Sequence, residues 1–173
     1  MSDQYGVIFD MDGVLVDSYR AHLESWRRTA RAHGLSMTDD DFQRTFGRTS
    51  RDIIANLWPG KFDDEHAKGF DDHKEATYRD IFRDDFPAMD GAAELIKSLH
   101  DAGFKLAIGS SGPPANVALV REKLPNAELF DATVNGSEIT RGKPEPDVVS
   151  VVCEKAQPST EVLCRRRRRA GWN

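Results

Sequence analysis

The chain has 173 residues, enough to bury a real core in one domain or a small pair. With 39% hydrophobic and 31% charged residues and a net charge of −5, it reads as a soluble globular protein, and the acidic balance argues against nonspecific nucleic-acid binding by the whole molecule. No apolar run is long enough for a bilayer span and the N-terminus is not of the secretory type, while Cys153 and Cys164 lack metal-type spacing and read as buried free thiols of a cytoplasmic protein.

In chain order, Val7-Ile8-Phe9 predicts a short buried strand. Tyr19 to His33 predicts a helix closed by Gly34, with His22, Trp26 and Ala30 at spacing four and Ser18 as its N-cap. Residues 39–46 and 50–58 read as short helices separated by Gly47-Arg48-Thr49, and 64–84 as a longer, very polar helix with sparse apolar positions (Ala67, Phe70, Ala76, Ile81, Phe82). The character changes at Phe86-Pro87. Asp90 to Ala102 predicts a helix, Lys105 to Ser110 a buried strand, 114–124 a helix, Ala132-Thr133-Val134 a strand, Pro146 to Ala156 a helix, and Glu161 to Cys164 the start of another strand. Strands alternating with helices predict an α/β fold with a parallel sheet and right-handed crossovers, the all-helical stretch being an insertion after the first strand.

Three places carry chemistry. Asp10 and Asp12 follow the first strand, two residues apart, with Gly13 to turn the chain. In open α/β sheets ligands bind at the carboxyl ends of strands. Ser110 closes the second buried strand, although a serine there also suits a helix cap. Lys143 stands in Gly142-Lys143-Pro144-Glu145-Pro146-Asp147, where a solvated loop lysine is the simpler reading of that residue alone.

Taken together, the D-x-D-G-V-L-x-D-S word, Ser110 and the K-P-x-P-D word resemble the motifs of the haloacid dehalogenase-like superfamily, and within it the β-phosphoglucomutase-like phosphatases. The resemblance implies a Rossmann-like core of residues 1–17 and 88–164, a helical cap of 18–87, and a magnesium-dependent phosphatase acting on a small phosphorylated metabolite of the sugar phosphate or phosphoglycolate type. Asp10 would be the nucleophile that forms an aspartyl-phosphate, and Asp12 the general acid and then base. Asp10, and Asp12 through its backbone carbonyl, would hold Mg²⁺, and Ser110 and Lys143 would hold the phosphoryl group, with Ser111 beside them. An Asp at position 12 favours phosphoryl transfer over carbon–halogen cleavage. The need for cations is electrostatic: a carboxylate about 4 Å from a phosphate charge is opposed by roughly 4 kcal/mol at an effective dielectric of about 20. Lysine and a divalent cation offset that repulsion.

In the cap, the resemblance assigns His22, Gly47, Arg48, Thr49 and Lys74 to substrate binding, and Arg79 matches less specifically. For His22 and Arg48 a helix-surface histidine and a surface arginine are equal alternatives, and for Lys74 and Arg79 a solvated helix face is the cheaper one. A β-phosphoglucomutase-like mutase and a non-catalytic phosphate-binding remnant are the competing functions.

The resemblance stops at Cys164. There the family places acids that complete the metal site, whereas this chain continues with Arg165 to Arg169 and then Ala170-Gly171-Trp172-Asn173. Five arginines do not continue a buried strand. They read as an irregular tail at an altered or truncated end, with the core incomplete and the activity impaired. Residues 165–169 are also the one hint of a nucleic-acid partner.

Overall fold

The computed structural model describes residues 4–46, 48–141, 145–156 and 160–164, the last five and Gln4 by their backbone alone. Gly47, Lys143 and the arginine-rich segment lie outside the described residues. The chain divides into two compact units, Met1–Asp17 with Ala88–Asn173, and Ser18–Pro87.

The first unit is a sheet unit. Its strands are β1 (Gln4–Phe9), β2 (Lys105–Gly109), β3 (Ala132–Val134) and β4 (Thr160–Cys164). They form one sheet in the order β3-β2-β1-β4, with every pairing parallel. The register sets Phe9 opposite Ile108 and Ile8 opposite Cys164. Chain order therefore runs from β1 outward to β3 and then reverses to β4 on the other side of β1, which makes the carboxyl end of β1 a topological switch point. β1 begins three residues before its apolar run because hydrophobicity marks only the buried half, whereas pairing with β4 reaches back to Gln4 and the exposed Tyr5.

Using the labels α1 to α7 in chain order, three helices belong to this unit: α5 (Ala92–Asp101), α6 (Pro114–Lys123) and α7 (Asp147–Ala156). α5 starts two residues later than the sequence suggests, because Gly91 sits in the left-handed region at φ +78°. Ile8, Ala107, Ala132 and Val134 pack with Val152 of α7. The alternate residues Phe9, Leu106 and Ile108 are buried on the other face, where Phe9 meets Phe130 edge-on at 5.7 Å. Gly109 ends β2 under α7: a methyl group there would lie 2.7 Å from Val148 Cγ1 and 3.1 Å from Ile8 Cγ2. Two short 3₁₀ turns, Ala127–Leu129 and Gly136–Glu138, carry no hydrophobic period and are absent from the sequence reading. Cys153 on α7 is a free thiol but only half-buried, which corrects the expectation of a buried one.

The second unit is helical: α1 (Tyr19–Ala32), α2 (Asp39–Thr45), α3 (Ser50–Leu57) and α4 (Asp64–Asp84). Its core is aromatic, built from Trp26, Met37, Phe42, Ile53, Ile54, Trp58 and Phe70. Phe70 is the hub, with ring centroids 5.8 Å from Trp26, 5.3 Å from Trp58 and 5.3 Å from Phe62. Helix ends are set locally. Thr38 and Asp41 form a reciprocal capping box at α2, Thr49 caps α3 and Asp63 caps α4. Ser18 holds the N-cap position of α1, but its buried side chain makes no capping bond, contrary to its sequence signal; its carbonyl accepts the His22 N–H at 2.9 Å.

Candidate active site

The acids of the D-x-D word leave β1 in a tight loop. Asp10 Oδ1 accepts the Met11 N–H at 2.8 Å. The Met11 carbonyl accepts from the N–H groups of Leu15 (2.9 Å) and Val16 (3.2 Å), and the Gly13 N–H donates to the Val16 carbonyl at 2.8 Å. Gly13 has φ +71°, a conformation that glycine adopts without a Cβ penalty. Bridge pairings of Asp12 with Val16 and of Val16 with Ala88 tie the loop down. Met11, Leu15 and Val16 are buried and anchor the loop, while Asp10 and Asp12 are half-buried.

Ser110 leaves β2, the neighbour of β1, and is 1% exposed. Its N–H continues the pairing to the Val134 carbonyl at 3.0 Å, and its Oγ accepts the Gly112 N–H at 3.0 Å. The hydroxyl thus closes a turn and does not cap α6, whose N-cap is Pro113. A methyl group on Gly112 would lie 3.2 Å from Ser110 Oγ and 3.6 Å from Met11 Cε, which places the Ser110 turn against the D-x-D loop. On the other side the Gly136 N–H donates to the Gly112 carbonyl at 2.8 Å, and a Cβ on Gly136 would fall 2.4 Å from the Ser111 carbonyl oxygen. Ser111 itself is exposed.

Lys143 is outside the described residues, but its flanks are tied. The backbone N–H of Arg141 donates to Asp147 at 3.0 Å and its guanidinium at 2.8 Å, and that side-chain bond holds the Asp147 carboxyl below the usual carboxylate range. Lys155 also ties α7 to Glu138 and to the Thr133 carbonyl.

In the helical unit, His22 and Lys74 come together, with Lys74 Nζ 3.2 Å from His22 Nδ1. Lys74 is 3% exposed, so the solvated-face reading fails for it, and His22 is half-buried and stacked on Tyr78. Arg48 and Thr49 lie exposed between α2 and α3. The Thr49 hydroxyl accepts the Asp52 N–H at 3.2 Å, and the Arg48 N–H donates to the Thr45 carbonyl at 3.1 Å. Sequence reasoning missed Glu75, whose Oε1 is 2.6 Å from Lys74 Nζ, and the backbone clamp at Gly112 and Gly136. In a helix as acidic as α4 one more glutamate gives no signal, and neither glycine belongs to a recognisable word.

Among the described residues no three His, Cys, Asp or Glu side chains gather as a metal site. The Asp10 carboxylate and the Asp12 backbone carbonyl are hard oxygen donors at one loop, a set that suits Mg²⁺ when water and substrate phosphate complete the shell. Among the described residues no helix is long and apolar enough to cross a membrane.

Residues 6–164 match the family model described as haloacid dehalogenase-like hydrolase. The chain is similar to a phosphorylated carbohydrates phosphatase of Thermotoga maritima (28% identity over 149 residues, 86% of this chain and 69% of that protein). It is also similar to hexitol phosphatase A of Escherichia coli (33% identity over 144 residues, 82% of this chain and 64% of that protein). The match therefore spans less than two thirds of the hexitol phosphatase. Among solved structures, a HAD hydrolase of family IA, variant 3, from Entamoeba histolytica superposes with a TM-score of 0.79 at 28% identity, covering 88% of this chain and 70% of that one.

Proposed function

We propose that this chain, which belongs to the haloacid dehalogenase-like hydrolase family, is a phosphatase for a small phosphorylated carbohydrate or a phosphoglycolate-type acid. The observation that carries the reading is the placement of Asp10 directly after β1, at the switch point, and of Ser110 directly after the neighbouring parallel strand, with Met11 and Gly112 closing the gap between their loops. The names of similar proteins, which act on phosphorylated carbohydrates or hexitol phosphates, support the substrate class.

In this reading Asp10 attacks phosphorus and carries the phosphoryl group, and Asp12 gives a proton to the leaving oxygen and later takes one from water. Ser110 donates to a phosphoryl oxygen without adding charge. Lys143 neutralises both the nucleophile and the substrate. The Asp10 carboxylate and the Asp12 backbone carbonyl would hold Mg²⁺, which would supply charge neutralisation for the phosphoryl group. The helical unit, through His22, Arg48, Thr49 and Lys74 with Gly47, would read the rest of the substrate as a cap. After Cys164 the sequence continues with Arg165 to Arg169, basic residues where the resemblance expects acids for the cation site. Cation affinity is accordingly expected to be weak, and turnover low.

The test is release of inorganic phosphate from hexitol phosphates, other sugar phosphates and phosphoglycolate, with Mg²⁺ and with a chelator. Turnover should need millimolar Mg²⁺ and fall by at least about 10³-fold in Asp10→Asn. Phosphate release that persists in that variant would sink the assignment of Asp10. An isomerised monophosphate obtained from a sugar bisphosphate would turn the reading to a mutase.

A further inference from the structure

The helical unit buries an ammonium group and accounts for it with three kinds of partner. Lys74 Nζ on α4 lies 2.6 Å from Glu75 Oε1 and 3.2 Å from His22 Nδ1 on α1. It also stands 5.5 Å from the ring centroid of Trp26 and 5.6 Å from that of Tyr78, within cation–π range. Tyr78, one turn further along α4, stacks on His22 with centroids 4.3 Å apart and planes at 19°, which fixes the plane of the imidazole. The side chains of Lys74 and Glu75 are 4% and 12% exposed, so water contributes little to holding the pair.

An ammonium group has donors and no acceptor. The imidazole nitrogen facing it must therefore accept through its lone pair, because a hydrogen on Nδ1 would set two donors against each other at 3.2 Å. The ring hydrogen is then on Nε2. We infer that Lys74 fixes His22 as the Nε2–H tautomer, and that Glu75 is a positioning residue that keeps the Lys74 ammonium in place to do so. Without its carboxylate the buried charge would be only partly compensated, and the flexible lysine stem would be free to leave Nδ1. Asp71 lies one turn before Glu75 on the same helix. Burial lifts its carboxyl above the usual range, and the Ser50 hydroxyl and the Lys74 charge work against that rise. Glu75, whose Oε1 lies 2.6 Å from the ammonium, does the anchoring.

The consequence is a difference in what His22 offers. At Nε2 it then carries a hydrogen-bond donor of fixed direction, the kind of group that suits a phosphoryl or hydroxyl oxygen. This last step rests on the substrate-binding role proposed above for His22; the tautomer does not.

Long-range ¹H–¹⁵N correlation spectra of the uniformly labelled full chain at neutral pH test the tautomer directly, with the His22 signals identified by their loss in His22→Gln. The expected pattern is a protonated Nε2 and a bare Nδ1. Lys74→Arg, which also only donates, should retain it. Lys74→Met and Glu75→Gln should move both nitrogen shifts toward an averaged value. A hydrogen on Nδ1 in the unsubstituted protein, or an unchanged pattern in both Lys74→Met and Glu75→Gln, overturns the inference, and the first of these needs no variant to fold. Steady-state kinetics on a phosphorylated carbohydrate separate the two levels. Glu75→Gln should raise KM by about 5-fold or more with a smaller change in kcat. The expected spectra with an unmoved KM would leave the tautomer standing and remove His22 from substrate binding.

Discussion

The two units place polar groups by different means. In the sheet unit, Asp10 and Ser110 are where they are because two paired strands end there. Register and main-chain hydrogen bonds hold them, over a core of small and β-branched residues such as Ala107, Ala132 and Val134. In the helical unit, His22 and Lys74 are 52 positions apart in sequence and meet because aromatic side chains pack α1 against α4. Groups placed by the backbone should tolerate side-chain repacking and suffer from any atom added to the main chain. Groups placed by packing should behave in the opposite way.

The largest expected effect is on the packed side. Phe70→Ala removes the ring that Trp26, Trp58 and Phe62 share and should destabilise the helical unit by about 3–5 kcal/mol, seen as a lower urea midpoint for helical circular dichroism. A loss under about 1 kcal/mol would mean that the aromatic core can close over the gap, and the contrast between the units would fail. Next in size is Gly136→Ala in the sheet unit. The new methyl would meet the Ser111 carbonyl, a backbone atom that cannot rotate aside, so a loss of about 1–3 kcal/mol is expected in the same denaturation assay. Neutral behaviour there would show that the turn carrying Ser110 is looser than its hydrogen bonds imply.

The smallest effect concerns Asp71. Burial lifts its carboxyl above the usual range. A raised folded-state value means that its contribution to stability is full below the unfolded-state pKa and is lost as pH rises through the raised one. Near neutral pH the charged form is therefore a burden that Asp71→Asn removes. The variant should melt above the parent at about pH 7, and the gap should close toward about pH 4. Thermal melts across that range decide the sign, and a variant that melts below the parent at neutral pH would contradict it.

The sheet unit was more legible in the sequence for the same reason that it resists added atoms. Val7-Ile8-Phe9, Lys105 to Ser110 and Ala132 to Val134 each mark their own strand, and chemistry at a strand end is read from the next one or two residues. Gly34 likewise announces the end of α1. What could not be read were relations made by packing or by main-chain contacts between distant segments. Ser18 carries the residue type of a cap without forming the bond. Lys74 looks like one more charge on a polar helix and is buried. Glu75 has no signature at all, and the close approach of Gly136 to Ser111 depends on two loops that only the folded sheet brings together.

Gly109 shows how narrow the clearances in the sheet unit are. The space its missing side chain leaves is filled by Val148, a β-branched residue with little rotamer freedom to yield. Alanine at this position would have to lift the opening turn of α7 off β2. That same turn begins with Asp147, which grips Arg141, so a displacement of a fraction of an ångström would travel along the helix start to that ion pair. One absent methyl thus acts as a spacer gauge for the start of α7, and drift at position 109 would be felt at the Arg141–Asp147 tie long before it was felt as an unfolded protein.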